Sequence, residues 1–188
     1  MLQIFGYISA VLSLLMVVPY VRDILYGGTR PERASWLIWT VLTSIAFFSQ
    51  LAKGATDSLW LSAGQTLAVL IVLLLSTKYG VGGLTKWDIR ALMAAGVGLV
   101  IWYFTNEAAY ALFVIIIIDS IGTLLTVVKS YKEPETETIS TFVMSGTSGV
   151  FGALAVGSLD FILLAYPFYI IVANYAIAGA ILLGRRKS

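Results

Sequence analysis

Charged residues are so sparse in this chain that the intervals between them reach the length of a membrane-crossing helix. Six segments carry no Asp, Glu, Lys or Arg and a seventh carries one acid, Asp119; in chain order the segments are 1–21, 34–52, 58–77, 91–106, 108–128, 138–159 and 161–184. A helix that crosses the hydrocarbon core needs about 20 mostly apolar residues. The pattern therefore predicts an all-α integral membrane protein with seven transmembrane helices, the fourth of them short.

The composition excludes several classes of protein. Hydrophobic residues make up 59% of the chain and charged residues 12%, whereas soluble domains have about 45–50% and about 25%. The chain contains neither cysteine nor histidine, which removes disulfides, thiolate or imidazole metal sites and Cys or His nucleophiles. We predict no enzymatic activity, no cofactor and no metal site. The expected partners are the lipid bilayer and a small-molecule solute, not nucleic acid, and a homo-oligomer is left open.

The basic residues predict the orientation of the helices. If the loops alternate between the two sides of the membrane, Lys53 lies on one side and eleven of the twelve Lys and Arg residues lie on the other. Basic residues accumulate in cytoplasmic loops. We therefore expect an N-terminus outside, a C-terminus in the cytoplasm, and a multi-pass protein of the plasma (inner) membrane.

Two loops resemble each other and indicate an internal repeat. Residues 26–35 and 131–138 both contain a tyrosine and then a Pro-Glu pair shortly before a Ser or Thr that begins the next helix. The predicted units are a three-helix repeat over 1–77, a cytoplasmic loop and linker helix over 78–106, and a second three-helix repeat with a basic tail over 107–188. Such parallel repeats are related by an axis along the membrane normal. The alternative is that Pro-Glu before Ser or Thr is ordinary chemistry of a helix N-terminus.

These features resemble the SWEET and PQ-loop superfamily of small membrane transporters. Pro19-Tyr20 is similar to the Pro-Gln pair near the cytoplasmic end of the first helix in that family, and 29–35 is similar to the basic loop that follows it. The second repeat departs from the pattern because its first helix has no proline, and Gly122 stands as the flexible point. The resemblance implies three helices, a linker helix and three more helices, with an outside N-terminus and a transport function.

Asp119 is the candidate coupling residue. It follows four isoleucines in the fifth predicted span, where an ionised carboxylate facing lipid costs several kcal/mol. We expect it to face protein or water and to be neutral in at least one state. At helical spacing it shares a face with Thr123, and the resemblance implies that it binds a proton. The alternative is a buried acid that only bonds neighbouring helices.

Polar and aromatic side chains in three spans are candidate substrate ligands. Gln65 and Thr66 are predicted to lie at nearly the same depth as Asn174, and the resemblance implies that amides of the two third helices hold the substrate. Amides donate and accept hydrogen bonds, which suits hydroxyl-rich or zwitterionic ligands. Trp39 and Tyr169 are the preferred pocket aromatics, whereas Trp36 is assigned to the membrane interface and Tyr166, Phe168 and Tyr175 are further candidates. The alternative is that Asn and Gln merely link helices, at about 1 kcal/mol per bond.

Two prolines lie inside predicted spans and are candidate hinges. Pro19 and Pro167 each remove a backbone hydrogen bond, so each permits a kink. Together these features predict a secondary transporter or facilitator of a small polar solute, such as a sugar, an amino acid or a nucleoside-like vitamin. It would work by alternating access with Asp119 as a proton or cation site. An ion channel, and a receptor or sensor without transport, are the alternatives.

Overall fold

The computed structural model describes residues 1–27, 31, 33–132, 134–136 and 138–187. In this part of the chain the structure is built of eight α-helices: α1 (Leu2–Leu15), α2 (Val17–Leu25), α3 (Arg33–Ala52), α4 (Leu59–Tyr79), α5 (Lys86–Thr105), α6 (Ala108–Lys132), α7 (Ile139–Val156) and α8 (Phe161–Arg185). Pro134–Thr136 forms a single 3-10 turn. The all-helical fold agrees with the fold class predicted from the sequence.

Six helical segments of the described chain are long and apolar enough to cross a membrane: α1 with α2, α3, α4, α6, α7 and α8. They correspond to six of the seven predicted spans, and they support a multi-pass membrane protein. The predicted fourth span lies in α5, whose apolar part is Leu92–Thr105. At a rise of 1.5 Å per residue this part is roughly 21 Å long, which is less than the ~30 Å of a hydrocarbon core. The count of seven spans stays a prediction.

The first span is interrupted close to Pro19. Helix α1 ends at Leu15, Met16 intervenes with helical dihedral angles, and α2 begins at Val17. Proline has no N–H to donate to the carbonyl four residues earlier, which here is that of Leu15, so the break falls where the proline removes a backbone bond. Pro167 lies inside α8 and is buried, without an interruption of that helix.

Six of the helices form a closed ring. Going around it, α1 contacts α4, α4 contacts α3, α3 contacts α6, α6 contacts α8, α8 contacts α7, and α7 contacts α1. In the first triplet (α1, α3, α4) the third helix therefore packs between the other two, and in the second triplet (α6, α7, α8) it does the same. Helix α5 packs outside the ring against α6 and α3.

The two loops that contain Pro-Glu pack in related ways. The carbonyl of Pro31 accepts a hydrogen bond from the backbone N–H of Val81 (2.9 Å), beyond the end of α4. Pro134 packs against Gly184 at the end of α8, where a Cβ would lie 3.2 Å from the proline ring. Each proline thus contacts the end of the third helix in its own triplet. Of the residues compared in the sequence, Gly28, Thr29, Arg30, Glu32, Glu133 and Glu137 lie outside the described residues.

Glu107, in the turn between α5 and α6, forms an ion pair with Lys53 at the end of α3. The hydrogen bond from the Lys53 ammonium holds the pKa of Glu107 below its ordinary value. A carboxyl whose pKa is lowered by folding stabilises the fold above the pKa of the unfolded chain. That contribution is lost as the pH falls through the lower, folded pKa.

We expect Glu107→Gln to lower the melting temperature slightly at pH 7, because exposed ion pairs contribute modestly. The difference from the wild type is expected to shrink once the pH falls below the ordinary glutamate pKa of about 4.3. Thermal unfolding of both proteins in detergent across this pH range measures the effect. A difference that stays constant with pH would show that the ion pair is not its source.

Candidate functional site

Asp119 is bonded to α8 and faces α3. The Tyr169 hydroxyl of α8 donates to Asp119 Oδ2 at 2.6 Å. Trp39, Leu42 and Thr43 of α3 line the same small cavity as the carboxyl group. The acid therefore faces protein, as expected, and it lies where α6 and α8 of the second triplet meet α3 of the first.

Thr123 extends this arrangement by one bond. Its Oγ1 lies 3.0 Å from the Tyr169 hydroxyl oxygen. A tyrosine hydroxyl carries one hydrogen, and that hydrogen is given to Asp119, so Thr123 is the donor in this pair. The chain runs from Thr123 to Tyr169 to Asp119. Such chains polarise their members and strengthen each bond.

The local sequence explains why these groups meet. Asp119 and Thr123 are four residues apart near the middle of α6, so they lie one turn apart on the same face. Ile117 and Ile121, on another face of the same helix, are exposed, which is the arrangement expected of lipid-facing side chains. The isoleucines thus set the rotation of α6, and this rotation turns Asp119 toward the neighbouring helices.

A small cavity adjoins the carboxyl group. Its volume is about 20 Å³, and its lining is mostly apolar and aromatic: Trp39, Leu42, Thr43, Ile115, Ile116, Asp119, Tyr166 and Tyr169. A space of about 10–15 Å³ suffices for one water molecule. The cavity therefore accommodates a water-sized group in this conformation, and a sugar or an amino acid requires the helices to move apart.

Tyr166 is the cavity residue with an unused polar atom. Its side chain is 4% exposed, and its hydroxyl has no hydrogen-bond partner among the described residues. An unsatisfied buried hydroxyl costs about 1–3 kcal/mol. The cavity thus offers two groups to a ligand: the remaining lone pairs of Asp119, and this hydroxyl.

Gln65 lies in a different polar cluster. Its Nε2 is 3.1 Å from Ser145 Oγ and 3.3 Å from Ser148 Oγ on α7, and Ser9 Oγ of α1 donates to the carbonyl of Ser148 at 2.7 Å. All four residues are buried. This serine–glutamine cluster joins α1 and α4 to α7, so it too crosses between the triplets. The sequence signal for it was the small residues at helical spacing, Ser9 with Ser13 and Ser145 with Ser148.

Thr66 and Asn174 bond their own helices. Thr66 Oγ1 donates to the carbonyl of Ser62 at 2.8 Å, and Asn174 Nδ2 donates to the carbonyl of Ile170 at 2.9 Å. Both side chains are partly buried. Trp39 and Tyr169 are brought to the Asp119 cavity, whereas Gln65, Thr66 and Asn174 are not among its lining residues.

The remaining aromatic candidates separate into two groups. Trp36 packs edge-on against Trp39 with ring centroids 5.0 Å apart, and Tyr20 of α2 lies 5.1 Å from Trp36. These rings form an aromatic row that starts at Trp39. Phe168 and Tyr175 are exposed, at 62% and 40%, which suits contact with lipid. Within the described residues no group of His, Cys, Asp and Glu could hold a metal ion.

Removing the Tyr169 hydroxyl tests the hydrogen-bond chain. Removal of this bond leaves a buried acceptor without a partner, which costs about 1–3 kcal/mol, so we expect Tyr169→Phe to lower the free energy of unfolding by about that amount in reversible unfolding in mixed micelles. Tyr175→Phe is the matched control, because it removes a hydroxyl of the same helix that bonds Thr147 on α7 at 2.8 Å. Equal losses in the two variants would contradict a special role of Tyr169.

Comparisons of the chain with models of known protein families, with curated proteins and with solved structures gave no match. The resemblance to the SWEET and PQ-loop superfamily therefore stays a prediction from the sequence.

Proposed function

We propose that the chain is a secondary transporter or facilitator of a small polar solute that works by alternating access between its two triplets. Asp119 is the group that takes up a proton or a cation during the cycle. The observation that carries the proposal is the small cavity that the Asp119 carboxyl group of α6 shares with Trp39, Leu42 and Thr43 of α3 in the other triplet. A polar contact at the interface between two moving halves is where a change of charge alters their packing.

The contact pattern supports a repeated fold. Exchanging α1, α3 and α4 with α6, α7 and α8 turns the α1–α7 contact into the α6–α3 contact, and it turns the α4–α7 contact into α8–α3. All four of these contacts are present, as are the equivalent pairs within each triplet. This is the pattern expected of a twofold pseudo-symmetry axis along the membrane normal. Helix α5 then connects the two repeats.

The glycines at the ends of the third helices add to this support. A Cβ on Gly80, just after α4, would lie 2.8 Å from the carbonyl oxygen of Pro31. Gly184, at the end of α8, has the corresponding relation to Pro134. Each third helix thus ends at a glycine that makes room for the proline-containing loop of its own triplet. Local helix chemistry alone does not require that contact.

Neutralising Asp119 would loosen the interface. Hydrogen bonds to an ionised carboxylate are roughly twice as strong as those between neutral groups, so uptake of a proton weakens the bond from Tyr169. Because residues of α3 in the other triplet line the same cavity, this change of charge acts at the contact between α3 and α6. The charge on Asp119 therefore biases the equilibrium between closed and open arrangements, as coupling requires.

Buried apolar side chains of both triplets pack beside Tyr166, one of the residues that line the cavity. Leu61 of α4 and Leu112 of α6 are fully buried in one cluster with Ile170 of α8 and with Tyr166, which lines the cavity. Residues of both triplets thus meet above Asp119 toward the start of α6. On the orientation predicted from the basic residues this is the outer side, in a plasma membrane. The arrangement fits a state that is closed to the outside.

Uptake by the purified protein in liposomes tests the proposal. We expect saturable uptake of at least one solute from a panel of sugars, amino acids and nucleosides, stimulated by an imposed pH gradient. Empty liposomes measure the leak. Absence of saturable uptake for the whole panel would contradict a transport function.

The two alternatives make different predictions in the same preparation. A channel gives unitary currents in a planar bilayer without saturation at low solute concentration. A receptor or sensor binds its ligand without flux, so it gives a saturable thermal shift and no uptake. The cavity at Asp119 has room for about one water-sized group, and this narrowness favours transport over an open pore.

A further inference from the structure

The cavity at Asp119 is small, contains an acid and has unused hydrogen-bonding capacity. Asp119 accepts a hydrogen bond from Tyr169, but a carboxylate has about four lone-pair positions. The buried Tyr166 hydroxyl on the same cavity has no partner among the described residues. The volume of about 20 Å³ admits a group the size of one water molecule. A ligand group that matches it is small and positively charged and donates several hydrogen bonds.

We infer that this cavity receives the primary ammonium group of a small organic amine, and that the amine and a proton exchange at Asp119. The inference rests on the proposed transport function and narrows its substrate class. An –NH3⁺ group is water-sized and has three donors. It satisfies both Asp119 and the Tyr166 hydroxyl, which accepts one of the three hydrogen bonds.

The charge distribution disfavours sugars and amino acids as the ligand of this cavity. A sugar leaves the charge of Asp119 unbalanced. An amino acid brings its own carboxylate, and none of the seven uncharged or nearly uncharged segments contains Lys, Arg or His to balance it. Burial of an unpaired charge is expensive. An amine without an acidic group brings the one charge that the site lacks.

Other cations fit less well. A tetraalkylammonium ion has four carbon substituents around its nitrogen and exceeds a space of about 20 Å³. Metal ions such as Ca²⁺ or Mg²⁺ take about six or more oxygen ligands. The lining supplies four oxygen-bearing side chains, of which Thr43 already donates to the carbonyl of Trp39 at 2.8 Å.

The aromatic row gives the organic part of the amine a surface. Trp39 borders the cavity, Trp36 packs against it at 5.0 Å, and Tyr20 follows at 5.1 Å. Aromatic faces attract cations and bury apolar groups. An amine with its nitrogen at Asp119 would place its carbon chain along this row when the triplets open.

The amine exchanges with a proton because one carboxyl group stands among the described residues that line the cavity. The titratable groups that line the cavity are Asp119 on α6 and Tyr166 and Tyr169 on α8; among the described lining residues α3 contributes Trp39, Leu42 and Thr43, and α5 and α4 contribute none. Asp119 is thus the one carboxyl group among the described lining residues, and it is where a proton and an ammonium group exchange. At the other interface between the triplets, the serine–glutamine cluster is neutral. The site therefore binds one positive charge at a time, either a proton or an ammonium group.

Amine binding to the purified protein in lipid nanodiscs tests the inference. Binding is measured by calorimetry at pH 6, 7 and 8. The probes are propylamine and phenethylamine, and tetraethylammonium, glucose and glycine serve for comparison. We expect saturable binding of the two amines, weaker at lower pH and accompanied by proton release, and at least tenfold weaker binding of the other three. Preloaded amine is expected to leave proteoliposomes faster when the outside is made acidic.

Two variants localise the binding. Asp119→Asn is expected to abolish amine binding. Tyr166→Phe keeps the ring and the charge, so it is expected to weaken binding roughly threefold to tenfold, the effect of one lost hydrogen bond. It should leave the number of protons released per bound amine unchanged. Tyr175→Phe is the control, with wild-type affinity, and circular dichroism establishes that each variant folds.

The outcomes separate the inference from the proposed function. Absence of amine binding, together with proton-driven uptake of a different solute, overturns the inference and leaves the transporter. Amine binding that is independent of pH, or unchanged in both Asp119→Asn and Tyr166→Phe, also overturns it. Absence of both amine binding and saturable uptake of any solute overturns the proposed function as well.

Discussion

Asp119→Asn is expected to remove the response of uptake to a pH gradient. Asparagine has nearly the shape of aspartate and still accepts from Tyr169, but it cannot take up a proton. With no charge to change, the interface between α3 and α6 has one bonding state, so uptake with a gradient should fall to the level without one. Initial rates in proteoliposomes with and without an imposed gradient measure the loss.

Asp160→Asn is the matched control for this substitution. Asp160 precedes α8, and its Oδ1 accepts from the N–H groups of Ile162 (2.8 Å) and Leu163 (3.0 Å). Asparagine is as good a helix N-cap as aspartate, so this exchange of an acid for an amide should leave both uptake and its pH response intact. If Asp119→Asn keeps a wild-type response, or Asp160→Asn loses it as well, Asp119 is not the coupling group.

Asp119 was predictable because the bilayer makes its environment so costly. An acid that follows four isoleucines in a membrane span must face protein or water, because facing lipid is costly. Helical spacing alone places Thr123 on the same face of the helix as Asp119. The neighbours of Asp119 on other helices are harder to predict from the sequence. Tyr169 and Trp39 were candidate pocket aromatics, but the bond of Tyr169 to Asp119 and the place of Trp39 beside the same cavity depend on how α8 and α3 are rotated about their axes. A single sequence specifies spacing within a helix better than rotation between helices.

Gln65 and Asn174 likewise show what a single sequence predicts and what it does not. Gln65 and Asn174 were predicted at similar depths, which their positions along α4 and α8 determine. Depth does not say which neighbour a side chain faces. Helix α7 contacts both α4 and α8, and Gln65 bonds its serines while Asn174 bonds the backbone of α8. Their assignment as substrate ligands stays a prediction that a structure with bound solute would test.

The repeat predicted from the sequence implies part of the order of the helices in the ring. Two copies of one unit must pack in the same internal order, so the similarity of 26–35 to 131–138 implied that α4 and α8 hold equivalent places. It did not specify that the third helix lies between the other two. That order depends on which helix faces carry the smallest side chains, because small side chains let two backbones approach closely and this packing drives helix association in lipid. In the first triplet Gly64 is such a position.

Gly64→Ala is expected to destabilise the fold although alanine is the better helix former. A Cβ on Gly64 would lie 2.8 Å from Ser13 Cβ and 3.0 Å from the carbonyl oxygen of Ala10 on α1. Neither atom is the end of a flexible side chain, so α1 and α4 must separate. Overpacking costs about 1–3 kcal/mol, and the gain in helix propensity of about 1 kcal/mol offsets part of it.

Gly179→Ala provides the opposite case on α8, because a Cβ there would meet no atom within 4 Å. The same gain in propensity then acts alone, and we expect unchanged or increased stability, by up to about 1 kcal/mol. Reversible unfolding in mixed micelles compares the two variants with the wild type. If Gly64→Ala is as stable as Gly179→Ala, the close approach of α1 to α4 is not what holds the first triplet together.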